Sequence, residues 1–144
     1  MRPVLIVESD PILQVMLPVT LMAAGYHAVV STDGLSGLMQ AQLHQPALIL
    51  LDLHLPVVAG VTAIRVLRNI PATREIPIIA MSLDRDHPHE LRQIPNVDIL
   101  AKPFAHDDLL RLVAAHVRPA GVHPRHRSAA HEPWYDHADA VQEF

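Results

Sequence analysis

The chain has no cysteine, aromatics at only 3% of its 144 residues, and a single lysine among eleven Lys and Arg. The first absence excludes disulfides, thiolate metal sites and cysteine nucleophiles. The second leaves the core to Leu, Ile, Val, Met and Ala. No apolar run reaches membrane-spanning length, and Glu8 and Asp10 interrupt any signal-peptide layout at the N-terminus, so a soluble cytoplasmic protein without membrane contact is expected. The formal charge of −4, with no Lys/Arg cluster, argues against direct nucleic-acid binding. The length suits one domain.

What is present is strict alternation. Val4-Leu5-Ile6-Val7 reads as a strand ending in Glu8-Ser9-Asp10, and a helix follows from about Pro11 to Gly25, with Ile12, Leu13, Met16, Leu17 and Ala23 as its apolar face. Pro18 should kink that helix or cost roughly 3 kcal/mol. Strands are predicted at 27–31, 47–52, 77–82 and 97–101, and helices at 34–44, 59–69 and 107–117. Val61, Ile64 and Leu67 point inward in the third helix, and Leu109, Leu110, Leu112 and Val113 in the last.

Strands apolar on both faces, each followed by a helix, predict an α/β fold with a covered parallel sheet. Ligands in such sheets bind beyond the carboxyl ends of the strands. That rule gathers Glu8, Ser9, Asp10, Asp52, Ser82 and the lone Lys102 at one edge. Adjacent carboxylates must share a proton or hold a cation. Oxygen-only ligands favour Mg²⁺, which completes its shell with water and phosphate oxygens. Lys102 and Ser82 suit the remaining phosphoryl oxygens, and Asp52 suits a carboxylate nucleophile. The plainer alternative is a network of satisfied polar groups at strand ends.

Val4-Leu-Ile-Val-Glu-Ser-Asp-Pro11, Leu50-Leu-Asp52-Leu-His-Leu-Pro56 with Gly60, Pro77-Ile-Ile-Ala-Met-Ser82 and Ala101-Lys-Pro-Phe104 together resemble the receiver domain of two-component response regulators, over residues 2 to 118. The resemblance implies a flavodoxin-like (βα)5 three-layer sandwich with sheet order 2-1-3-4-5. It implies Asp52 as the phosphoacceptor for a sensor histidine kinase or phosphotransfer protein, in a Mg²⁺-dependent reaction. Glu8, Asp52 and the backbone carbonyl of His54 would hold the metal, with Ser9 or Asp10 as further candidates. Ser82 matches the switch hydroxyl and Lys102 its cationic partner, and the Lys102–Pro103 bond is expected to be cis. A receiver is not an enzyme in its own right.

Departures accompany the match. Ser9 stands where receivers usually carry a metal-binding aspartate. The missing charge represents roughly 4 kcal/mol for charges about 4 Å apart at an effective dielectric of about 20, before solvent compensation. Ile99 replaces the usual Tyr or Phe, so it is a degenerate switch position, and Leu83 narrows access to Asp52. Asp84 to Asn96, broken by Pro88 and Pro95, predicts a stunted fourth helix.

The alternative function is a degenerate receiver acting as a protein-interaction module without phosphorylation. An Asp-x-Asp phosphatase is disfavoured because His54 occupies the place of the second Asp, and a flavin site because no phosphate loop follows the first strand. Residues 119–144 contain prolines, alanines and His123, His126, His131 and His137, and read as a disordered tail following a receiver at 1–118. Those histidines are candidate transition-metal ligands, and Trp134-Tyr135 is either a docking pair or incidental.

Overall fold

The computed structural model describes residues 1–83 and 89–119. Five strands, β1 (Val4–Val7), β2 (Ala28–Ser31), β3 (Leu48–Asp52), β4 (Ile78–Ser82) and β5 (Val97–Ala101), form one sheet in the order β2-β1-β3-β4-β5. Every pairing is parallel, with Val4 opposite both Ala28 and Leu48, and Ile49 opposite Ile78. This is the doubly wound flavodoxin-like topology that the resemblance implied.

The apolar runs of β1, β3 and β4 are buried along their whole length because both faces of the sheet are covered. Side chains alternate between faces. Leu5, Val7, Ile49, Leu51, Ile78 and Ala80 pack under helices α2 (Gly34–His44) and α3 (Gly60–Asn69). Val4, Ile6, Leu48, Leu50, Ile79 and Met81 pack under α1 (Pro11–Ala23) and α4 (His106–His116). Each fully buried Leu or Ile contributes about 1.5–3 kcal/mol, so these two layers dominate stability.

Local chemistry starts α1, α2 and α4 near the expected residues. Asp10 caps α1 by accepting from the Ile12 N–H at 2.9 Å, with Pro11 pre-set for the first turn. Asp33 caps α2 through the Ser36 N–H at 2.8 Å. Asp107 and Asp108 lie in the first turn of α4, where the helix dipole favours anions. At the far end, the Tyr26 hydroxyl donates to the Val117 carbonyl at 3.0 Å, fixing where the chain leaves α4.

One reading of α1 needs correction. The helix runs through Pro18 as one element. Its buried residues are Leu17 and Leu21, with Leu13 half-buried, whereas Ile12 and Met16 are exposed. The helix contains no charged residue, so its sequence offers no polar face against which to orient the buried one. Between β4 and β5, residues 84–88 lie outside the described residues. The described remainder forms only a 3-10 turn, His89–Gln93, in line with a stunted helix.

The loop from Asp52 to α3 is tightly constrained. A Cβ on Gly60 would lie 2.6 Å from the Asp52 carbonyl oxygen and from Leu53 Cα, so only glycine lets α3 start this close to the strand end. Val57, in the same loop, holds φ at 72° and is exposed. A β-branched residue in left-handed backbone is strained by about 1–3 kcal/mol, while glycine costs about 0.5–1 kcal/mol in chain entropy. Val57→Gly is therefore expected to stabilise the fold by about 1 kcal/mol, seen as a higher urea midpoint with an unchanged slope. A lower midpoint would show that Val57 contributes contacts that outweigh its strain.

Candidate functional site

The sheet carries Glu8, Asp52, Ser82 and Lys102 to its carboxyl edge, one from the end of each of β1, β3, β4 and β5. Glu8 is fully buried, and Asp52 and Ser82 are 4% and 1% exposed. The backbone holds each firmly. Glu8 N–H donates to the Ser31 carbonyl at 3.0 Å, Leu53 N–H to Met81 at 2.9 Å, and Lys102 N–H to Ser82 at 2.7 Å.

Lys102 is the electrostatic centre. Its Nζ donates to Oε1 and Oε2 of Glu8, both at 3.0 Å, and lies 3.6 Å from Asp52 Oδ1. Only about a tenth of its side chain is exposed. One ammonium thus sits between two buried carboxylates. Sequence reasoning assigned Lys102 to a phosphoryl group; here it pairs chiefly with Glu8. Burial pushes the Glu8 carboxyl above its ordinary range, the Lys102 bond pulls it down, and the nearby Asp52 charge pushes it up again; the net direction is upward.

Asp52 Oδ1 accepts from the His54 N–H at 3.0 Å, which fixes the carboxylate plane, while the His54 side chain is exposed. Glu8 has two further supports. The Asp10 N–H donates to its Oε1 at 3.2 Å, and the Gln14 amide donates to its backbone carbonyl at 2.9 Å. Gln14 was missed by sequence reasoning, and nothing in its position marks it beyond lying one turn into α1. The capping role of Asp10 was legible, since Asp before Pro at a helix start is an N-cap pattern. Its carboxylate is committed to Ile12, and Ser9 is half-buried beside it. Lys102–Pro103 is cis. Ile99 is half-buried against the α2/α3 layer, and Leu83 is largely exposed at the mouth.

The donor set fits Mg²⁺ in a reduced form. Among the described residues no three His, Cys, Asp or Glu side chains converge as a metal site. Mg²⁺, however, is commonly held by one or two carboxylates together with waters and phosphate oxygens. Glu8 and Asp52 are such a pair, provided Lys102 releases Glu8. Among the described residues no helix is long and apolar enough to cross a membrane.

With this geometry in view, comparison with known proteins is decisive for the family. Residues 4–114 match the response regulator receiver domain, and the chain belongs to that family. It is 32% identical over 120 residues to the DNA-binding dual master transcriptional regulator RpaA of Synechocystis, covering 82% of this chain and 50% of RpaA. It is 32% identical over 117 residues to the DNA-binding response regulator MtrA of Mycolicibacterium smegmatis, covering 80% of this chain and 50% of MtrA. The chain thus spans about half the length of these curated relatives.

Among solved structures, the receiver domain of sensor histidine kinase PA1611 from Pseudomonas aeruginosa PAO1 superposes with a TM-score of 0.73 at 30% identity, over 80% of this chain and 96% of that one. That structure has a magnesium ion coordinated in its active-site cleft. The chemotaxis protein CheY4 of Vibrio cholerae gives a TM-score of 0.73 at 26% identity, over 81% and 99% of the two chains. The family is one of signalling domains of two-component systems, not of free-standing enzymes.

Proposed function

We propose that residues 1–118 form a phosphoryl-accepting receiver, modified on Asp52 by a sensor histidine kinase or phosphotransfer protein in a Mg²⁺-dependent reaction, with residues 119–144 as an appendage. The observation that carries this reading is the single ammonium of Lys102 set between the buried carboxylates of Glu8 and Asp52.

In the transfer, an Asp52 carboxylate oxygen attacks phosphorus. The new O–P bond forms as the bond to the donor's imidazole nitrogen breaks, and the imidazole leaves with its electron pair. The His54 N–H holds Oδ1, which directs the other oxygen, Oδ2, to the incoming phosphorus. Lys102 moves from Glu8 toward the new phosphoryl oxygens, where its point charge is best used. Ser82, at the end of the neighbouring strand, supplies a hydroxyl to the same group. Glu8, Asp52 and the His54 carbonyl would hold Mg²⁺, which would supply positive charge against the phosphoryl oxygens.

Ser9 favours a second reading, a receiver that binds partners without being phosphorylated. With two carboxylates instead of three and Lys102 already on Glu8, the cation site is weakly charged. Incubation with acetyl phosphate and Mg²⁺, followed by intact mass, separates the two. One added phosphoryl group, absent when Mg²⁺ is chelated before acetyl phosphate is added, is the expected result. No mass gain at any Mg²⁺ concentration would leave the interaction module as the surviving reading.

A further inference from the structure

Of the three residues that follow β1, Glu8 alone brings a carboxylate to Lys102. Ser9 has none, and Asp10 commits its own to the Ile12 N–H. Lys102 must leave Glu8 before a cation can take its place, and the position of Glu8 then depends on its other supports.

Those supports converge on one residue of α1. β1 ends at Val7 and its neighbour β2 at Ser31, yet the Glu8 N–H still reaches the Ser31 carbonyl at 3.0 Å. In a parallel ladder the Glu8 carbonyl would be met by the next N–H along the partner strand, but β2 stops short of it. The side-chain amide of Gln14 takes that place, donating from Nε2 to the Glu8 carbonyl at 2.9 Å. The backbone N–H of Gln14 donates to the Asp10 carbonyl, also at 2.9 Å. Gln14 therefore grips the chain on both sides of Ser9. The Asp10 N–H in turn donates to Glu8 Oε1 at 3.2 Å, so the turn that Gln14 holds also aims the carboxylate.

We propose that Gln14 is a positioning residue for the Mg²⁺ site, holding the turn from Glu8 to Asp10 so that the Glu8 carboxylate stays in place once Lys102 releases it. The consequence for phosphoryl transfer rests on the receiver reading, with Asp52 as the phosphoacceptor.

The grip is rigid because α1 is rigid. Leu17 and Leu21, one and two turns beyond Gln14, are buried against the sheet, and Gln14 itself is half-buried. Without the amide, the Glu8 carbonyl loses its donor and the peptide joining Glu8 to Ser9 is free to turn. The carboxylate must then be ordered again each time metal binds, which costs a factor of about three to ten in affinity for one immobilised side chain. A site with a third carboxylate would dilute this loss. Here Glu8 and Asp52 are the pair, and misplacing one of them is felt in full.

Gln14→Met keeps the length of the side chain and removes the donor. Mg²⁺ titrations of the full chain, followed by the amide shifts of Asp52 and His54, are expected to show half-saturation at about three- to tenfold higher Mg²⁺ than in the wild type. Gln42→Met is the control, since the Gln42 amide makes a similar bond to the Leu38 carbonyl on α2, away from the site. It is expected to leave Mg²⁺ binding unchanged. With acetyl phosphate, the Mg²⁺ needed for half-maximal phosphorylation of Gln14→Met should rise by the same factor, while the rate at saturating Mg²⁺ stays within about twofold of wild type. A lower urea midpoint with unchanged Mg²⁺ affinity would overturn the proposal, because the bond would then serve only the start of α1. An equal loss of affinity in Gln42→Met, or a wild type that binds no Mg²⁺, would overturn it too. A wild type that binds Mg²⁺ but takes no phosphoryl group would overturn the receiver reading instead, and the affinities of the two variants would still decide the role of Gln14.

Discussion

Lys102→Met is expected to lower stability at neutral pH by about 3–5 kcal/mol, the usual consequence of removing one partner from a buried ion pair. Glu8 is fully buried, Asp52 nearly so, and Lys102 is the cation within 4 Å of both. The pH dependence has a definite sign. The Glu8 carboxyl is already raised above its ordinary value of 4.5 by burial, and the variant removes the Lys102 bond that pulls it down. A carboxyl with a raised folded-state value contributes stability that is fully present below its unfolded value and lost as pH rises through the folded one. The deficit of Lys102→Met should therefore be largest at neutral pH and shrink as pH falls toward 4.5. Mg²⁺ should recover part of it by taking the place of the ammonium, with about 2.7 kcal/mol available when the ion is present at 100 times its dissociation constant. Urea unfolding at several pH values, with and without Mg²⁺, reads all three effects. A deficit below about 1 kcal/mol, or one independent of pH, would show that Lys102 does not hold the two acids together.

Ser9→Asp is expected to tighten Mg²⁺ binding by at least tenfold. It adds a charged oxygen next to Glu8, and even a third of the roughly 4 kcal/mol Coulomb energy at about 4 Å corresponds to about a factor of 10. The same change should make the metal-free protein less stable, because a third acid would share one ammonium. Titration followed by amide shifts of Asp52 and His54 gives the affinity, and urea unfolding gives the stability. Equal affinities would mean that Ser9 lies outside the metal site, or that Asp10 leaves its cap on Ile12 to supply the charge.

Much of this arrangement was legible in the sequence. The runs at Val4–Val7 and Leu48–Asp52 announced strands buried on both faces, and the strand-end rule brought Glu8, Asp52, Ser82 and Lys102 together before any coordinates did. The helices at Gly34–His44 and Gly60–Asn69 lie within a residue of the expected 34–44 and 59–69. What could not be read has physical causes. The buried stripe of α1 was misplaced onto Ile12 and Met16 because apolar residues occupy nearly every position there, which removes the periodicity. Pairing of Lys102 with Glu8 depends on distances that no local pattern encodes. The amide of Gln14 on the Glu8 carbonyl is likewise a consequence of how α1 docks. The histidines at 123, 126, 131 and 137, and the reading of 119–144 as a disordered tail, concern positions that, except for Pro119, lie outside the described residues.

The central claim is that Asp52 accepts the phosphoryl group, and site-resolved mass spectrometry of the wild type and Asp52→Asn after acetyl phosphate and Mg²⁺ tests it most directly. The Asp52 carboxylate lies 3.6 Å from Lys102 Nζ and its Oδ1 accepts from the His54 N–H, which supports the proposal that it is the acid that receives phosphorus. One phosphoryl group on Asp52, released by alkali as an acyl phosphate is, and none on Asp52→Asn, is the expected result. Phosphorylation retained in Asp52→Asn and stable to alkali would contradict it.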